Sequence, residues 1–437
     1  MERHDLSRFR EQPSLVRASA VARHGKLWLV PTILCALVAV CLTLLYMGGI
    51  LDPNGNLRQL PIALVNTDQG PTQPGQHQTV GTQVSRAVVA KTPADTVRWR
   101  HLSRAQMQDQ MASGKIYGAL VIPPDFTTSV TALTTPRATA RPALTVLTNP
   151  GLGSLGSALA TRIAQNAAHQ ASLEIGRQLT AQAPAQSTDT TTRALLGDPI
   201  TVTTQVGHPI GKHSGLGLTA FYYTLLLVLI AFVGGNIINS GVDAGLGYTD
   251  NEIGPWHTRH PTVPISRTQT LLLKMVMTVG ITVLTTSLLM IAAIAILGMD
   301  ATHLPLLWIF SFCASLAVGL GVQAINAAFG GIGQVVSMFV FIALALPSSG
   351  ATIPLQAVPD FYRFLALFEP MRQLSDGVRA ILYFDARADA GLMRGWGMIA
   401  IGVALALVFG FAMTLYYDRK GLHRLGPLRA ETSRQAP

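Results

Sequence analysis

No aspartate or glutamate falls inside any of the six apolar segments of this 437-residue chain, although it holds 22 of them. The segments run over 27–51, 218–238, 271–298, 304–325, 327–347 and 395–416. At ~1.5 Å rise per residue, each is long enough to cross a hydrocarbon layer of about 30 Å. Lys274, near one end, is the exception to their lack of charge. Proton-driven carriers usually keep an acid within their spans, although it costs about 2.5–3.5 kcal/mol there. Its absence from these segments argues against such a carrier. Cysteine is scarce too. Cys35, Cys41 and Cys313 all lie in apolar segments, so they offer no disulfide framework and no metal-ligand spacing. They read as small packing residues. Catalytic signatures are missing: there is no G-x-S-x-G, no H-E-x-x-H and no phosphate loop. Gly207-His-Pro-Ile-Gly-Lys-His213 comes nearest to a phosphate loop, but it is one residue short and lacks the closing Ser or Thr. The sequence therefore predicts no enzyme, no cofactor and no metal.

What is present is an early apolar block, about 165 mostly polar residues, then five further blocks. The reading is an α-helical integral membrane protein of six transmembrane helices, with an extracytoplasmic α/β domain inserted between helices 1 and 2. Residues 1–26 form a cytoplasmic segment and 27–51 form helix 1. Residues 52–217 form the domain, 218–416 a five-helix membrane unit, and 417–437 a basic tail. Leu27–Leu51 is 25 residues without a charge, longer than a signal-peptide core, and reads as a retained anchor. The net charge of +10 is explained by placement. Arg3, Arg8, Arg10, Arg17, Arg23 and Lys26 precede the first segment, and Arg419, Lys420, Arg424, Arg429 and Arg434 follow the last. That asymmetry puts both termini in the cytoplasm and 52–217 outside the plasma membrane. The basic ends suit anionic lipid. No aromatic-interleaved basic patch suggests nucleic acid.

Within 52–217, strands are expected at 60–66, 96–102, 116–122 and 143–147. Residues 71–82 read as a loop. Ser103 should cap a helix to about Ser113, and Asp125 another through Leu133. Leu152, Leu155, Leu159 and Ile163 recur at helical spacing in an Ala-rich run to Leu179. Residues 181–194 are linker-like. Strands alternating with helices indicate a small α/β domain. Asp68 and Asp125 are isolated and read as turn and cap residues.

In the membrane half, Ser287, Ser311, Gln323 and Gln334 are polar groups at depth, suited to interhelical hydrogen bonds. The loop 239–270 is far longer than an ordinary connector of about 2–8 residues. It carries Asp243, Tyr248, Glu252, Trp256, Arg259 and Arg267, a mix of both charge signs with one aromatic anchor. It reads as a docking surface on the inner side. On the outer side, over 360–384, Asp360 can cap a helix after Pro359, with Phe361, Phe364, Leu365 and Phe368 on one face. Pro370 interrupts it. Met371, Leu374, Val378, Ile381 and Leu382 then form the face of a second short helix. Two short amphipathic pieces hinged at a proline read as interfacial or re-entrant helices.

Three runs carry a family resemblance. Ser348-Ser-Gly-Ala-Thr-Ile-Pro354, with Pro359, Glu369-Pro370 and Arg379-Ala-Ile-Leu-Tyr383, resembles the outer-helix signature of type-2 ABC exporter permeases. Leu60-Pro-Ile-Ala-Leu-Val-Asn66-Thr-Asp68-Gln-Gly70 and Gly114-Lys-Ile-Tyr-Gly-Ala-Leu-Val-Ile-Pro-Pro124-Asp-Phe126 resemble the two outer-domain motifs of one branch. That branch is the phage-infection-protein (Pip/YhgE) group with its nitrosoguanidine-resistance-like relatives. The resemblance implies that loop 239–270 touches a separate P-loop ATPase. It also implies that two copies, alike or paralogous, enclose a path for a hydrophobic or amphipathic compound. The competing expectation is a non-transporting envelope receptor or scaffold, whose outer domain binds a phage, peptide or wall component.

Overall fold

The structure, a computed structural model, describes residues 25–70, 79–133, 141–182, 196–422 and 424. The basic positions Arg3 to Arg23, Arg429 and Arg434, and nearly all of the expected linker 181–194, lie outside those residues.

Helix α1 spans Gly25–Ile50. Its described contacts gather at its C-terminal end, where the Tyr362 hydroxyl donates to the Leu44 carbonyl at 2.9 Å and that of Tyr46 to Ile342 at 3.4 Å. A sheet unit follows, comprising β1 (Leu60–Asn66), α2 (Val80–Lys91), β2 (Val97–His101), α3 (Arg104–Ala112), β3 (Gly118–Ile122), α4 (Phe126–Ala132), β4 (Ala143–Thr148), α5 (Ser154–Gln182) and β5 (Thr201–Val206). Strand order is β2-β1-β3-β4-β5. β1 is parallel to β2 and β3, β4 is antiparallel to β3, and β5 is parallel to β4.

β1 is apolar almost throughout because both its faces are covered. Ala63 and Val65 meet Met107 and Met111 of α3, while Leu64 on the opposite face meets Val84 of α2, Phe126 of α4 and the alanines of α5. Ala164, Ala168 and Ala171 let α5 lie close on the sheet. The four expected strands and the helices begun by Ser103 and by the Ala-rich run are all present. Ser103 makes a full capping box with Gln106. α2, β5 and a small hairpin described below were not expected. Asp125 makes no side-chain cap; that role is taken from a distance by Asp68.

Among the described residues, five helical segments are long and apolar enough to cross a membrane: Pro31–Ile50, Thr219–Gly245, Arg267–Ile296, Leu304–Ser348 and Leu392–Arg419. The second is α6. The third is α7 (Arg267–Met290), prolonged by a π-helical turn to Ile296. The fourth doubles back. α8 (Leu304–Phe329) ends at Gly330, and α9 (Gly333–Met338) returns through a π-helical turn to Ser348. The return is visible where Gly321 faces the Phe341 ring and Gly333 faces Asn326. The fifth segment is α12. Between α9 and α12 lie α10 (Asp360–Leu365) and α11 (Pro370–Tyr383).

α8 is the centre of the bundle and touches α6, α7, α9 and α12. With no water to squeeze out, close backbone approach and hydrogen bonds hold such helices together. Gly377 and Gly395 flank the buried Phe310 ring, and a Cβ at either would collide with it. Gln323 donates to the Gly235 carbonyl at 2.9 Å, and Asn326 to the Asn236 side chain at 3.0 Å. Ser311 pairs with the Tyr223 hydroxyl at 2.9 Å, and Trp308 donates to Ser287 at 3.1 Å. Ser287, Ser311 and Gln323 thus tie helices together, while Gln334 faces a cavity at the end of the bundle far from the sheet.

Two boundaries differ from the sequence reading. α6 continues to Gly245, seven residues past 238, and α7 starts at Arg267, so the connecting loop shrinks to 246–266. Asp243 therefore sits inside a helix of the bundle. On the other side, Pro359 is the cap residue of α10 and Asp360 its first residue, with its carboxylate on Arg363. Phe361, Phe364 and Phe368 are each more than half exposed, with Phe368 at the rim of an apolar groove; Tyr362 is the buried residue of α10. α11 does bury the expected face of Met371, Leu374, Val378 and Ile381.

Candidate functional site

Three places concentrate chemistry: the far end of the bundle, an apolar groove along it, and the junction with the sheet unit.

At the far end, Lys274 of α7 is the lone charge of its apolar segment and is 3% exposed. Its ammonium donates to Asn239 at 2.6 Å and to Asp243 at 2.7 Å. Arg424 reaches the same carboxylate and stacks on the Tyr248 ring, 5.0 Å from its centroid. The Tyr248 hydroxyl donates to Val263 at 2.8 Å and folds the loop back. Asp418, at the end of α12, accepts from the backbone amides of Arg267 and Thr268, both at 3.0 Å, and so caps α7 from another helix. Arg267 lies over the Tyr417 ring. Asp243, Tyr248, Arg267, Gln334 and Arg424 line one cavity of about 580 Å³. Glu252, Trp256 and Arg259 are elsewhere. They belong to a short hairpin of β6 (Asn251–Ile253) and β7 (Trp256–Thr258) and the residue after it. Arg259 pairs with Asp250 at 3.5 Å, and Trp256 is 73% exposed at the hairpin.

The groove, of about 670 Å³, lies between α8, α9, the α10–α11 turn and α12. Val318, Phe341, Phe368, Leu374, Met398 and Leu405 give it an almost wholly apolar wall. At its edge stands Glu369, 4% exposed, which caps α11 by accepting from Met371 at 2.7 Å. Burial, only partly offset by the amides of Met371 and Arg372, pushes its carboxyl up to about 8. Its second oxygen has no hydrogen-bond partner among the described residues, as suits a protonated acid.

At the junction, Tyr383 of α11 accepts from the Ala220 amide at 3.1 Å and donates to Ser214 at 3.2 Å, fixing α11 to the start of α6. Arg379 donates to the Ala351 carbonyl at 2.7 Å. Two ion pairs join the sheet unit to the bundle: Asp109 with Arg387 at 2.8 Å and Lys115 with Asp389 at 2.6 Å.

The outer-domain motif residues form one structural knot. Asn66 accepts from the Asp68 amide at 3.0 Å. The Asp68 carboxylate accepts from Gly81 at 2.8 Å and from Thr127 at 3.1 Å, the second residues of α2 and α4. Gly70 adopts φ +76° and also donates to Asp68. Gln69 donates to the Pro124 carbonyl at 2.9 Å, and Phe126 is fully buried. Burial opposes the Asp68 charge, but these hydrogen bonds and the Thr127 hydroxyl outweigh it and hold the carboxyl below its ordinary range. Asp68 is more than a turn residue: it caps two helices.

The sequence reading did not single out Lys274 and Arg424 as partners of Asp243, nor Glu369, Arg372, Asp376 and Arg394. Two signals pointed to some of them: Lys274 is a lone charge in an apolar run, and Arg372, Asp376 and Arg379 share one helix face at i, i+4 and i+7.

A family model described as "Protein of unknown function (DUF3533)" matches residues 31–404. The chain belongs to this family. The match takes in most of the helix before the sheet unit, the sheet unit and the bundle into α12; DUF3533 covers the whole junction but stops short of Leu405 in the groove and of Asp418 and Arg424 at the far end. The "Uncharacterized protein YhgE" of Bacillus subtilis (strain 168) is 27% identical over 122 residues, 28% of this DUF3533 chain and 15% of that protein. No solved structure matches. Family membership and the partial likeness to YhgE support a YhgE/Pip-like protein, and the apolar helices a multi-pass membrane protein.

Proposed function

We propose that the chain is the membrane permease subunit of an exporter for a hydrophobic or amphipathic compound, with ATP hydrolysed by a separate subunit. In this reading the α8–α9 hairpin counts as two crossings and the chain makes six. The sheet unit is extracytoplasmic, and both termini face the cytoplasm. The observation that carries the reading is the apolar groove of about 670 Å³ within the membrane-spanning segments. Such a wall suits a greasy solute and offers few hydrogen bonds to a polar one. The hairpin bearing Trp256 projects at the opposite end from the sheet and supplies an exposed aromatic anchor for a partner.

Gly402 tests the groove, because it lines it and has room beside it: a Cβ there would stand 3.7 Å from its nearest neighbour, Ala317 of α8. Gly402→Trp should block efflux of an apolar dye from cells while the protein still folds and inserts. Normal efflux by a folded Gly402→Trp variant would count against the groove as a path. Purification with native partners in mild detergent should recover a phosphate-loop ATPase.

A receptor role has its own support in the sheet unit. A crevice of about 260 Å³ opens beyond the ends of β1 and β3, lined by Thr67, Arg104, Pro124 and Gln205. Crevices at the carboxyl ends of parallel strands commonly take ligands. Under that reading, deletion of the sheet unit abolishes function and substitutions in the 246–266 loop are silent.

A further inference from the structure

The junction between α11, the start of α12 and the sheet unit encloses a cavity of about 170 Å³ whose wall carries six charged side chains. Three guanidinium groups line it: Arg372 and Arg379 from α11, and Arg394 from α12. Two of them share one carboxylate. Asp376 lies 3.8 Å from Arg379 and 3.5 Å from Arg394. Arg372 has no carboxylate within ion-pair distance among the described residues; its guanidinium donates to the Ala366 carbonyl at 3.3 Å. Lys115 also lines the cavity but is neutralised by Asp389. Three positive charges against one negative leave two in excess.

Part of that excess is withdrawn from solvent, although the Arg394 side chain is 57% exposed. Arg379 is 3% exposed, and its Nε has no hydrogen-bond partner among the described residues. Buried charge is stable only when paired. Burial lowers the affinity of Arg372 for its proton; the nearby Asp376 opposes this and Arg394 adds to it. Burial pushes the Asp376 carboxyl upward, against the pull of Arg379, Arg394 and Arg372. The start of α12, which has no side-chain cap, brings the positive end of its dipole close to Arg394.

We infer that this cavity is a binding site for a phosphate-type oxyanion, held by Arg372, Arg379 and Arg394 between the α11 helix and the sheet unit. Guanidinium groups suit such a ligand because their planar forks donate two parallel hydrogen bonds to its oxygens. Tyr117, whose hydroxyl donates to Gln356 at 3.3 Å, closes one side and is kept neutral by burial, its phenol pushed up to about 12. The anion has two sources: phosphate in solution or the phosphodiester of a lipid headgroup beside α12.

Inorganic phosphate titrated calorimetrically into the full chain, purified in nonionic detergent, tests the first source. Native mass spectrometry after reconstitution in discs of phosphatidylglycerol and phosphatidylcholine tests the second, through retention of phosphatidylglycerol. Arg372→Gln and Arg394→Gln should each weaken the ligand that binds by about tenfold, the loss of one charged contact. Asp376→Asn removes the competing carboxylate and should tighten binding, an effect a misfolded variant would not produce. Binding of phosphate alone supports the site with a soluble anion. Retention of phosphatidylglycerol that Arg372→Gln abolishes supports it with a lipid. Failure of both probes, binding indifferent to the arginine variants, or weaker binding by Asp376→Asn would overturn the assignment.

Discussion

The ammonium of Lys274 sits 2.7 Å from the carboxylate of Asp243, and the two side chains are 3% and 15% exposed. Arg424 shares that carboxylate, so the pair is asymmetric. Loss of Lys274 leaves Asp243 with one cation, whereas loss of Asp243 leaves two cations with none of their shared carboxylate. Breaking a buried pair from its uncompensated side costs about 3–5 kcal/mol. Asp243→Ala should therefore destabilise the bundle by that order, and Lys274→Met by clearly less. Denaturant unfolding of the detergent-solubilised variants reads the difference. Equal losses would mean that Arg424 does not compensate.

Asp68 satisfies the first turns of α2 and α4 together. Asp68→Ala should destabilise the sheet unit by about 1–3 kcal/mol, because two buried amides lose their acceptor. Hydrogen exchange should quicken at Gly81 and Thr127 at the same time. The folded carboxyl titrates below its unfolded value. Its contribution is thus present above the unfolded pKa of about 3.9 and is lost as pH falls through the folded value. Asp68→Asn should flatten that acid limb.

Glu369 has the opposite sign. Its folded carboxyl titrates at about 8, above the ordinary 4.5, so the native state holds its proton more tightly. Stability from this group is fully present at low pH and declines as pH rises from about 4.5 to about 8. Glu369→Gln keeps an acceptor for the Met371 amide and removes the titration. Thermal unfolding across that window should slope for the parent protein and be flatter for the variant.

Trp256 is exposed and makes no core contact, so Trp256→Ala should change stability by no more than about 0.5 kcal/mol. If the hairpin docks an ATPase, the same change should reduce co-purification of that partner. Undiminished recovery with Trp256→Ala would move the docking surface away from β7.

The sequence made the apolar helices legible because their length and lack of charge allow few alternatives. β1, β3 and β4 were legible as short apolar runs. α2 was not: its start lies behind a Gly-, Pro- and Gln-rich stretch that reads as loop, and its inward positions Val84 and Val88 are only two per turn pair. β5 escaped notice because Thr201–Val206 is an edge strand, mostly exposed, with no alternation of apolar residues. The far-end site was half legible. Asp243, Tyr248 and Arg267 were singled out, but as loop residues, because hydropathy falls before the helix of α6 ends. The aromatic spacing of α10 was legible, and Phe361, Phe364 and Phe368 stand exposed; spacing marks a stripe without saying whether protein or lipid meets it. Asp125 shows the reverse error, a well-placed local cap displaced by a carboxylate far away in sequence.

The grip on α1 has a further implication. The hydrogen bonds from Tyr362 and Tyr46 fasten one extremity, while Leu29, Ile33, Leu37 and Val40 stand uncovered along one face. A neighbouring chain could lie against that length without displacing either tyrosine bond. Lateral company along α1 would be additive, gained without first dismantling the subunit.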